Sequence, residues 1–307
     1  QNEAFLHLND ALPADIARRR DMGDLAGALR LIDARLSSGV QPLLAPRLEA
    51  ERLRLTRLPY DYPYTRPEAV ALVRAEWPGF TEAQFDALLD GGRIVEENYG
   101  RITSLALDPI EKKPLRHFYP GSFILSVGSY GCNLRCPFCQ NDSIAMSDGS
   151  GLAARRAEPV RLAELAGELR ARGNIGLAYT YNEPTVSYDF VVDCARLIHE
   201  RQMKNVLVTN GSLLSEPLRG LLPLIDAMNV DLKGFTEAYY RWLGGDLETV
   251  KNFIRRAVEF GCHVEVTTLV VPGKNDGDDE VERLAAWLAS LDRDLPLHLS
   301  RFFPRYE

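Results

Sequence analysis

Three cysteines in one short segment are the side chains of this chain best suited to chemistry. The segment Gly131–Asn141 reads GCNLRCPFCQN and places Cys132, Cys136 and Cys139 in the spacing C-x3-C-x2-C, directly after the apolar run 123–130. Structural zinc sites usually take four ligands from two separated pairs, and this segment has no second pair. An iron-sulfur cube held by three cysteines instead keeps one iron open for a substrate or cofactor. The spacing therefore favours an open cluster and, with it, catalysis.

The remaining cysteines, Cys194 and Cys262, stand alone, one in a helical pattern and one before a strand. Isolated cysteines are usually small buried apolar residues, so we expect neither to be a ligand. Five cysteines, an odd number with three clustered as for metal binding, fit a reducing cytoplasm better than a disulfide framework.

With Phe138 immediately before the last cysteine, the segment resembles the cysteine motif of the radical SAM superfamily. The resemblance implies that Cys132, Cys136 and Cys139 hold a 4Fe-4S cluster, whose fourth iron is chelated by the amino and carboxylate groups of S-adenosylmethionine. It also implies that Phe138 lies against the adenine of this cofactor. Because short motifs also occur by chance, a zinc knuckle or a set of unrelated buried thiols is the alternative.

The composition is that of a globular enzyme. The chain has 307 residues, 46% of them hydrophobic, which suffices for one large or two modest domains with a substantial core. The net charge is -7 and no basic run is present, which disfavours a nucleic-acid partner. No stretch approaches the roughly 20 apolar residues of a membrane span, and no secretory leader is recognisable. We therefore expect a cytoplasmic protein without a membrane partner.

From residue 95 onward, short apolar strands alternate with amphipathic helices. The predicted strands are Phe123–Ser129, Ile175–Tyr181, Asn205–Val208, Ala227–Leu232, Val264–Val271 and Leu297–Phe303. The predicted helices between them are Pro159–Arg172, Val186–Arg201, Leu213–Leu222, Leu247–Phe260 and Asp279–Leu291. This alternation predicts an α/β fold with a parallel sheet and right-handed crossovers. Six such units resemble the partial (β/α)6 barrel of radical SAM enzymes.

The first 94 residues have a different, helical pattern. Apolar residues recur at helical spacing over Ala11–Leu36. Further helices are expected from Pro67, which suits a first helical turn, and from the capping box at Thr81 as far as Gly91-Gly92. We expect an N-terminal helical region of unknown role.

The character of the sequence changes abruptly at Ile94-Val95. A domain linker, a missing segment and an engineered junction all fit this change. We therefore divide the chain into a helical region of residues 1–94 and a barrel of residues 95–307. Because the chain stops at Glu307, just past the sixth predicted strand, we expect the barrel to lack its last helix.

Active sites in such barrels lie at the carboxyl ends of the strands, and polar residues follow the second and third predicted strands. Asn182 and Glu183 match a Gly-Gly-Glu-Pro motif that holds the methionyl ammonium in family members. The segment Val208–Gly211 resembles the Asp-Thr-Asn-Gly of pyruvate formate-lyase activating enzymes. The resemblance implies S-adenosylmethionine contacts for the four polar residues Asn182, Glu183, Thr209 and Asn210. For the first two, an ordinary Asn-Glu-Pro turn is the alternative.

Strands four and six carry further candidates. Asp231 and Lys233 resemble the Asp-Leu-Lys of the activating enzymes and, two residues apart, share one face of a strand. The resemblance implies that both lie at the cofactor end of the site, with Lys233 near the methionyl carboxylate, and a plain ion pair is the alternative. His298 matches a histidine near the S-adenosylmethionine ribose, although an isolated strand histidine is often only a satisfied polar group.

Three cations are candidates for contacts with the substrate. Lys112 and Lys113 suit an anionic substrate, but a solvated loop is the simpler interpretation, and it is the one we expect. Arg301, near the end of strand six, is expected to face the substrate mouth.

The activating enzymes differ from this chain at Val208, where they have aspartate, and at Thr267, where they tend to have arginine.

Over Tyr99–Tyr306 the chain resembles most closely the radical SAM member of the AmmeMemoRadiSam system, a relative of the pyruvate formate-lyase activating enzymes. The specific parts are Gly100–Leu115, the Tyr-Asn-Glu-Pro-Thr at 181–185 and the closing His298–Pro304. The resemblance implies that a flavodoxin- or ferredoxin-like donor reduces the cluster and that S-adenosylmethionine splits into methionine and a 5'-deoxyadenosyl radical. That radical then abstracts hydrogen from a substrate.

The sequence does not identify the substrate. Our first hypothesis is activation of a protein partner by hydrogen abstraction, as in glycyl-radical activating enzymes. The second is modification of a small molecule. The third is a non-catalytic scaffold in which the cysteine loop binds zinc. No residue is assigned as a catalytic acid or base, since the cofactors supply the radical.

Overall fold

The computed structural model of the chain describes residues 16, 25–37, 89–90, 93–94, 96–304 and 306. The chain divides into two compact units, Gln1–Val95 and Glu96–Glu307, and each is described by itself. Nowhere in the described ranges is a helix both long and apolar enough to cross a membrane.

Helix α1 of the first unit spans Leu25–Ser37. It lies almost wholly inside the predicted helix Ala11–Leu36, and Ile32 on it is fully buried. The predicted helix starts at Pro67 and Thr81 lie outside the described residues.

A short strand pair closes the described part of this unit. Strands β1 (Leu89–Asp90) and β2 (Arg93–Ile94) pair antiparallel. The prediction that a helix continues to Gly91-Gly92 is therefore wrong for its last two residues. Gly-Gly is a sequence typical of two-residue hairpin loops, and this preference competes with the helical pattern before it.

The second unit is built around a mostly parallel sheet. Its strands are β3 (Arg101–Ile102), β4 (Ser104–Pro109), β5 (Phe123–Gly128), β6 (Arg155–Arg156), β7 (Asn174–Tyr179), β8 (Lys204–Thr209), β9 (Ala227–Asp231), β10 (His263–Val270) and β11 (Leu297–Arg301). Within residues 96–304, seven of them form one sheet in the order β11-β10-β9-β8-β7-β5-β4, with β4 antiparallel to β5 and the other pairs parallel. Strands β3 and β6 pair separately.

Helices alternate with the parallel strands. They are α2 (Asp142–Ala145), α3 (Pro159–Glu168), α4 (Tyr188–Glu200), α5 (Ser215–Leu221), α6 (Glu237–Trp242), α7 (Leu247–Phe260) and α8 (Asp278–Leu291). Every predicted strand and helix of this region is present, with bounds that differ by a few residues, and the helices α2 and α6 are additions to the predicted ones. The predicted α/β class is confirmed, because parallel strands in sequential order with intervening helices are the arrangement of a partial (β/α)6 barrel.

Helix α7 illustrates how the sequence pattern produces these elements. Its apolar residues recur three and four positions apart, and Val250 and Ile254 among them are fully buried in the main core. Burial of each such side chain stabilises the fold by about 1.5–3 kcal/mol. Asp246 caps the start by accepting a hydrogen bond from the Thr249 N–H (2.7 Å), and Gly261 ends the helix with a φ of +85°.

The parallel strands pack on both faces. On β8, Leu207 belongs to the large core shared with the helices, whereas its neighbour Val206 packs with Ile110 and Leu115. Successive residues of a strand point to opposite faces, so one face meets the helices and the other meets the loop that follows β4. This loop therefore fills part of the inner face of the sheet.

Asp226, just before β9, ties three elements together. Its carboxylate is hydrogen-bonded to His199 Nε2 (2.9 Å), Lys204 Nζ (2.8 Å) and the Asn205 N–H (2.8 Å). Burial alone would raise the pKa of Asp226, but these contacts outweigh it and lower the pKa from 3.8 to about 2. A carboxyl with a depressed pKa stabilises the folded state above its unfolded pKa, and this stability is lost as the pH falls through the folded value.

Asp226→Asn should therefore lower the free energy of unfolding at pH 7 by about 2 kcal/mol. The difference from wild type should shrink as the pH falls from about 4 to about 2, because native Asp226 then becomes protonated. Urea unfolding at a series of pH values measures this difference. Asp294→Asn, at an exposed position, is the matched control. A difference that is constant from neutral to acidic pH would contradict the assignment.

Candidate functional site

A cavity of about 410 Å³ opens at the carboxyl ends of the parallel strands. The cysteine segment forms one part of its wall, and residues that follow β7, β8 and β9 form another. Of the residues singled out from the sequence, the lining includes Cys132, Cys136, Phe138, Cys139, Asn182, Glu183, Thr209, Asn210, Asp231 and Lys233. The fold thus brings the predicted site residues together, with the exception of His298.

The cysteine segment is fixed at both ends to the loop that follows β7. Gly131 at its start has a φ of +88°, a left-handed conformation that glycine adopts without strain. The Gly131 carbonyl accepts a hydrogen bond from the Glu183 N–H (3.4 Å). At the far end, Asn141 Nδ2 donates to the Tyr181 carbonyl (2.8 Å). The position of the cysteines therefore depends on the loop after β7.

The three thiols line the cavity in apolar surroundings. Cys136 is buried in an apolar cluster with Leu134, and Cys132 and Cys139 border the same cluster. Cys132 Sγ accepts hydrogen bonds from the Leu134 N–H (3.4 Å) and from Asn210 Nδ2 (3.6 Å). N–H groups directed at a sulfur stabilise the thiolate that a metal requires.

Burial keeps these thiols protonated in the free protein. It raises the pKa of Cys132 to about 11, with a further contribution from the nearby Glu183. Burial also raises the pKa values of Cys136 and Cys139. Because thiols ligate metals as thiolates, metal binding at this site releases protons and is favoured by higher pH.

The three thiols of the cysteine segment can supply the protein ligands of a 4Fe-4S cube. Cys132, Cys136 and Cys139 all line one cavity. A 4Fe-4S cube attaches each cysteine to a different iron, so three thiols on one wall can each hold one iron. In the described ranges no three His, Cys, Asp or Glu side chains gather as ligands around one metal ion.

Glu183 is the buried carboxylate that links the ends of β7 and β8. Oε1 accepts hydrogen bonds from the Thr185 N–H (3.0 Å) and from Thr209 Oγ1 (2.8 Å), and Oε2 accepts one from the Asn210 N–H (2.7 Å). Burial raises the pKa of Glu183, and these hydrogen bonds oppose the shift. The network fixes Asn210, whose side chain contacts Cys132, relative to the loop after β7.

The amide of Asn182 holds the start of the cysteine segment. Its Oδ1 accepts a hydrogen bond from the Ser129 N–H (2.9 Å), and its Nδ2 donates to the carbonyls of Tyr130 and Gly131, each at 3.1 Å. These contacts position the loop after β5 against the loop after β7. The side-chain amide of Asn182 is thus hydrogen-bonded within the protein. The cofactor contact expected of this residue stays a prediction.

Asp231 and Lys233 form an ion pair on the cavity wall, with Lys233 Nζ 2.8 Å from Asp231 Oδ2. The ion pair that the sequence left as an alternative is thus present. Burial alone would lower the pKa of Lys233, but the nearby Asp231 and Cys136 outweigh it and raise the pKa. Lys233 therefore presents a positive charge beside the thiols.

Phe138 is buried at the wall of the cavity beside two other aromatic rings. The ring centroids of Tyr239 and Trp242 lie 6.4 Å and 5.9 Å from that of Phe138. Both rings come from α6, which the sequence did not predict, and they fix the orientation of Phe138. Its contact with an adenine stays a prediction.

His298 lies against a different group. Its Nε2 is hydrogen-bonded to Oε2 of Glu265 (2.6 Å), a fully buried carboxylate that also contacts His263 Nε2 (3.0 Å). Backbone N–H groups of Arg116 and His117 complete the surroundings of that carboxylate. In the described part of the chain, His298 is not among the residues that line the cavity. Its expected ribose contact stays a prediction, and the geometry gives it the role of a satisfied polar group.

The loop after β4 contains a buried cation that the sequence pattern did not predict. Lys113 is 1% exposed, so the expectation of a solvated loop is wrong at this residue. Its Nζ lies 2.9 Å from Asp108 Oδ2 and 4.6 Å from the centre of the Tyr181 ring. Asp108 was the feature of the sequence that could have indicated this ion pair. It precedes Lys112 by four residues and Lys113 by five, so its carboxylate can pair with both across one turn.

The match to a known family agrees with this geometry. The model of the radical SAM superfamily matches residues 126–288, which is more than half of the chain. The chain therefore belongs to the radical SAM superfamily, whose members use a 4Fe-4S cluster and S-adenosylmethionine.

Individual relatives cover different shares of the chain. An uncharacterized protein of Methanocaldococcus jannaschii is 41% identical over 218 residues, which are 70% of this chain but only 64% of that protein. A second protein of the same organism, provisionally named a glycyl-radical enzyme activating enzyme, is 25% identical over 57% of this chain and 72% of its own length. The crystal structure of a domain of pyruvate-formate lyase-activating enzyme from Bacteroides vulgatus is 18% identical and has a TM-score of 0.35, covering 40% of this chain and 75% of that chain.

Glu183→Gln should lower the free energy of unfolding by about 2–3 kcal/mol, because the amide places an NH2 group against buried donors that need an acceptor. Thermal or urea unfolding measures the loss. Glu237→Gln is the control, since its pair with Arg241 is exposed to solvent and surface pairs contribute about 1 kcal/mol at most. Equal effects of the two substitutions would refute the structural role of Glu183.

Proposed function

We propose that this chain cleaves S-adenosylmethionine reductively and uses the resulting radical to abstract a hydrogen atom from a substrate. The observation that carries the proposal is the shared cavity of Cys132, Cys136 and Cys139 with polar residues from the strand ends. The other two cysteines, Cys194 and Cys262, do not belong to the described wall of this cavity. Three thiolates leave one iron of a cube without a protein ligand, as an S-adenosylmethionine site requires.

The wall offers complementary contacts for the parts of S-adenosylmethionine. The ammonium of Lys233 suits the methionyl carboxylate, because charge-assisted hydrogen bonds are short and strong. Glu183 is hydrogen-bonded to Thr209 and Asn210. Together these three residues offer polar groups for the methionyl ammonium. Phe138 offers an aromatic ring for the adenine. In this proposal Asp231 positions Lys233 through their ion pair.

The protein orients these groups and shields them from water. When both are bound, the cluster and S-adenosylmethionine supply a 5'-deoxyadenosyl radical after delivery of one electron. The apolar cluster of Leu134, Leu243 and Val271 behind the cysteines keeps water from that side of the site. No side chain is assigned a proton transfer.

A protein partner is the first candidate for the substrate. The provisional name of the second relative, a glycyl-radical enzyme activating enzyme, supports this assignment. A small molecule is the second candidate, and it is favoured by two buried polar residues of the cavity lining, Lys113 and Thr267. We assign a flavodoxin- or ferredoxin-like protein as the electron donor, since the reaction consumes single electrons.

Anaerobic reconstitution tests the proposal. The wild-type chain should become brown, bind about four irons and four sulfides, and convert S-adenosylmethionine to methionine and 5'-deoxyadenosine when dithionite is added. Cys136→Ala should lose most of its iron and at least about a hundredfold in cleavage rate, because the cube loses one of its three protein ligands.

Cys262→Ala is the matched control, because that thiol does not line the described cavity wall and its hydrogen bonds in the described structure go to the backbone carbonyls of Ile225 and His263. It should keep both the iron and the cleavage activity. A normal cleavage rate in Cys136→Ala would refute the ligand assignment. A colourless protein with one equivalent of zinc would support the non-catalytic scaffold instead.

A further inference from the structure

The cavity wall carries an excess of cations. Four cationic side chains and two carboxylates line it, namely Lys112, Lys113, Lys233, Arg301, Glu183 and Asp231. Lys233 is neutralised by Asp231 at 2.8 Å, and Glu183 is engaged by donors of the protein itself. The remaining charge on the wall is positive, and a concave positive wall attracts anions.

Lys113 is a buried cation whose hydrogen bonding is incomplete. An ammonium has three N–H donors. Asp108 Oδ2 accepts one of them at 2.9 Å, and the face of the Tyr181 ring lies 4.6 Å from the nitrogen. Within the described residues a further donor of Lys113 has no acceptor. Burial lowers the pKa of Lys113, although Asp108 opposes the shift, so a second anion beside it would stabilise the charged form.

Asp108 cannot neutralise both lysines. Its carboxylate accepts hydrogen bonds from Lys112 Nζ (3.1 Å), Lys113 Nζ (2.9 Å) and the Tyr181 hydroxyl (2.6 Å). Burial alone would raise the pKa of Asp108, but these hydrogen bonds outweigh it and hold the pKa well below its usual range. One carboxylate is therefore shared by two ammonium groups, and the local charge stays positive.

Strands β10 and β11 contribute two further donors. Thr267 on β10 is 6% exposed, and its Oγ1 is buried without a hydrogen-bond partner in the described structure. Arg301 at the end of β11 forms no ion pair with a described residue, and its guanidinium lies 5.6 Å from the centre of the Phe303 ring. A buried hydroxyl without a partner is costly, and an oxyanion in the cavity would satisfy it.

Tyr181 connects these residues to the cysteine segment. Its backbone has a φ of +77°, a conformation that costs a non-glycine residue of the order of 1–3 kcal/mol and occurs preferentially at functional sites. A Cβ on Gly128 would lie 2.7 Å from Tyr181 Cδ2, so glycine at 128 makes room for the ring. The Tyr181 hydroxyl contacts Asp108 and its carbonyl contacts Asn141. The cations near β4 thus have a fixed position relative to the cysteines.

On the basis of the function proposed above, we propose that Lys113, Thr267 and Arg301 form a substrate subsite that binds an oxyanion. The two cations neutralise its charge, and the threonine hydroxyl donates a hydrogen bond to it. Lys113 follows the edge strand β4, and Arg301 ends the other edge strand β11, so cations from both edges of the sheet line one cavity. Lys233 remains for S-adenosylmethionine. The substrate therefore carries a carboxylate or a phosphate group.

Calorimetric titration of the full, anaerobically reconstituted chain with inorganic phosphate and with succinate tests this subsite. The wild type should bind one of the two at a single site, which distinguishes a phosphate from a carboxylate ligand. Saturating S-adenosylmethionine should change this affinity by less than about twofold, because Lys233 is not part of the subsite. Arg301→Gln and Thr267→Val should each weaken binding by about tenfold, the effect of losing one hydrogen bond to a charged group.

Arg241→Gln is the matched control, since this exposed arginine pairs with Glu237 and does not line the cavity. It should bind the anion as tightly as the wild type. Lys113→Met is not used as the deciding variant, because it removes a buried counter-ion of Asp108 and endangers folding.

Two results would overturn the subsite: loss of anion binding when S-adenosylmethionine is added, or wild-type affinity in both Arg301→Gln and Thr267→Val. Failure of the proposed function gives a different pattern. In that case the chain binds the anion as described but does not cleave S-adenosylmethionine. Normal cleavage without any binding of phosphate or succinate would refute the subsite and leave the proposed function standing.

Discussion

The buried carboxylate of Glu183 is the contact on which the geometry of the site depends. A charge out of contact with water must be met by donors, and the loop after β7 and the end of β8 supply them. Satisfying Glu183 fixes the distance between these two strand ends. Asn210 is then directed at Cys132, and the Glu183 N–H meets the carbonyl of Gly131. The cysteine segment thus takes its position from a network centred on the Glu183 carboxylate.

Periodicity in the sequence predicted the alternating strands and helices of the parallel sheet. Helix α7 has the predicted bounds because its apolar residues recur at three and four positions between a capping aspartate and a glycine. The parallel order of the strands explains why residues far apart in sequence, such as Asn182 and Lys233, line one cavity. The carboxyl ends of parallel strands share an edge of the sheet, so a polar residue after each strand is brought to the same place.

The sequence could not predict contacts between residues that are far apart in the chain and belong to no recognisable motif. Glu265 accepts hydrogen bonds from the backbone N–H groups of residues 116 and 117, and His298 is hydrogen-bonded to the same carboxylate. Lys113 looked solvated because two adjacent lysines usually are. Its burial depends on Asp108 and on the strained Tyr181, and a left-handed backbone at a tyrosine has no sequence signature.

Polar groups around the cavity fall into two physical classes. Asn182, Thr209 and Asn210 make hydrogen bonds within the protein and thereby fix the strand ends and the cysteine segment. Lys113 and Thr267 retain unused donors, as far as the described residues extend. Satisfied buried groups stabilise one arrangement, whereas unsatisfied ones lower the stability of the free protein and recover that energy on binding. In the proposed function, rigidity and recognition therefore fall to different residues of one cavity.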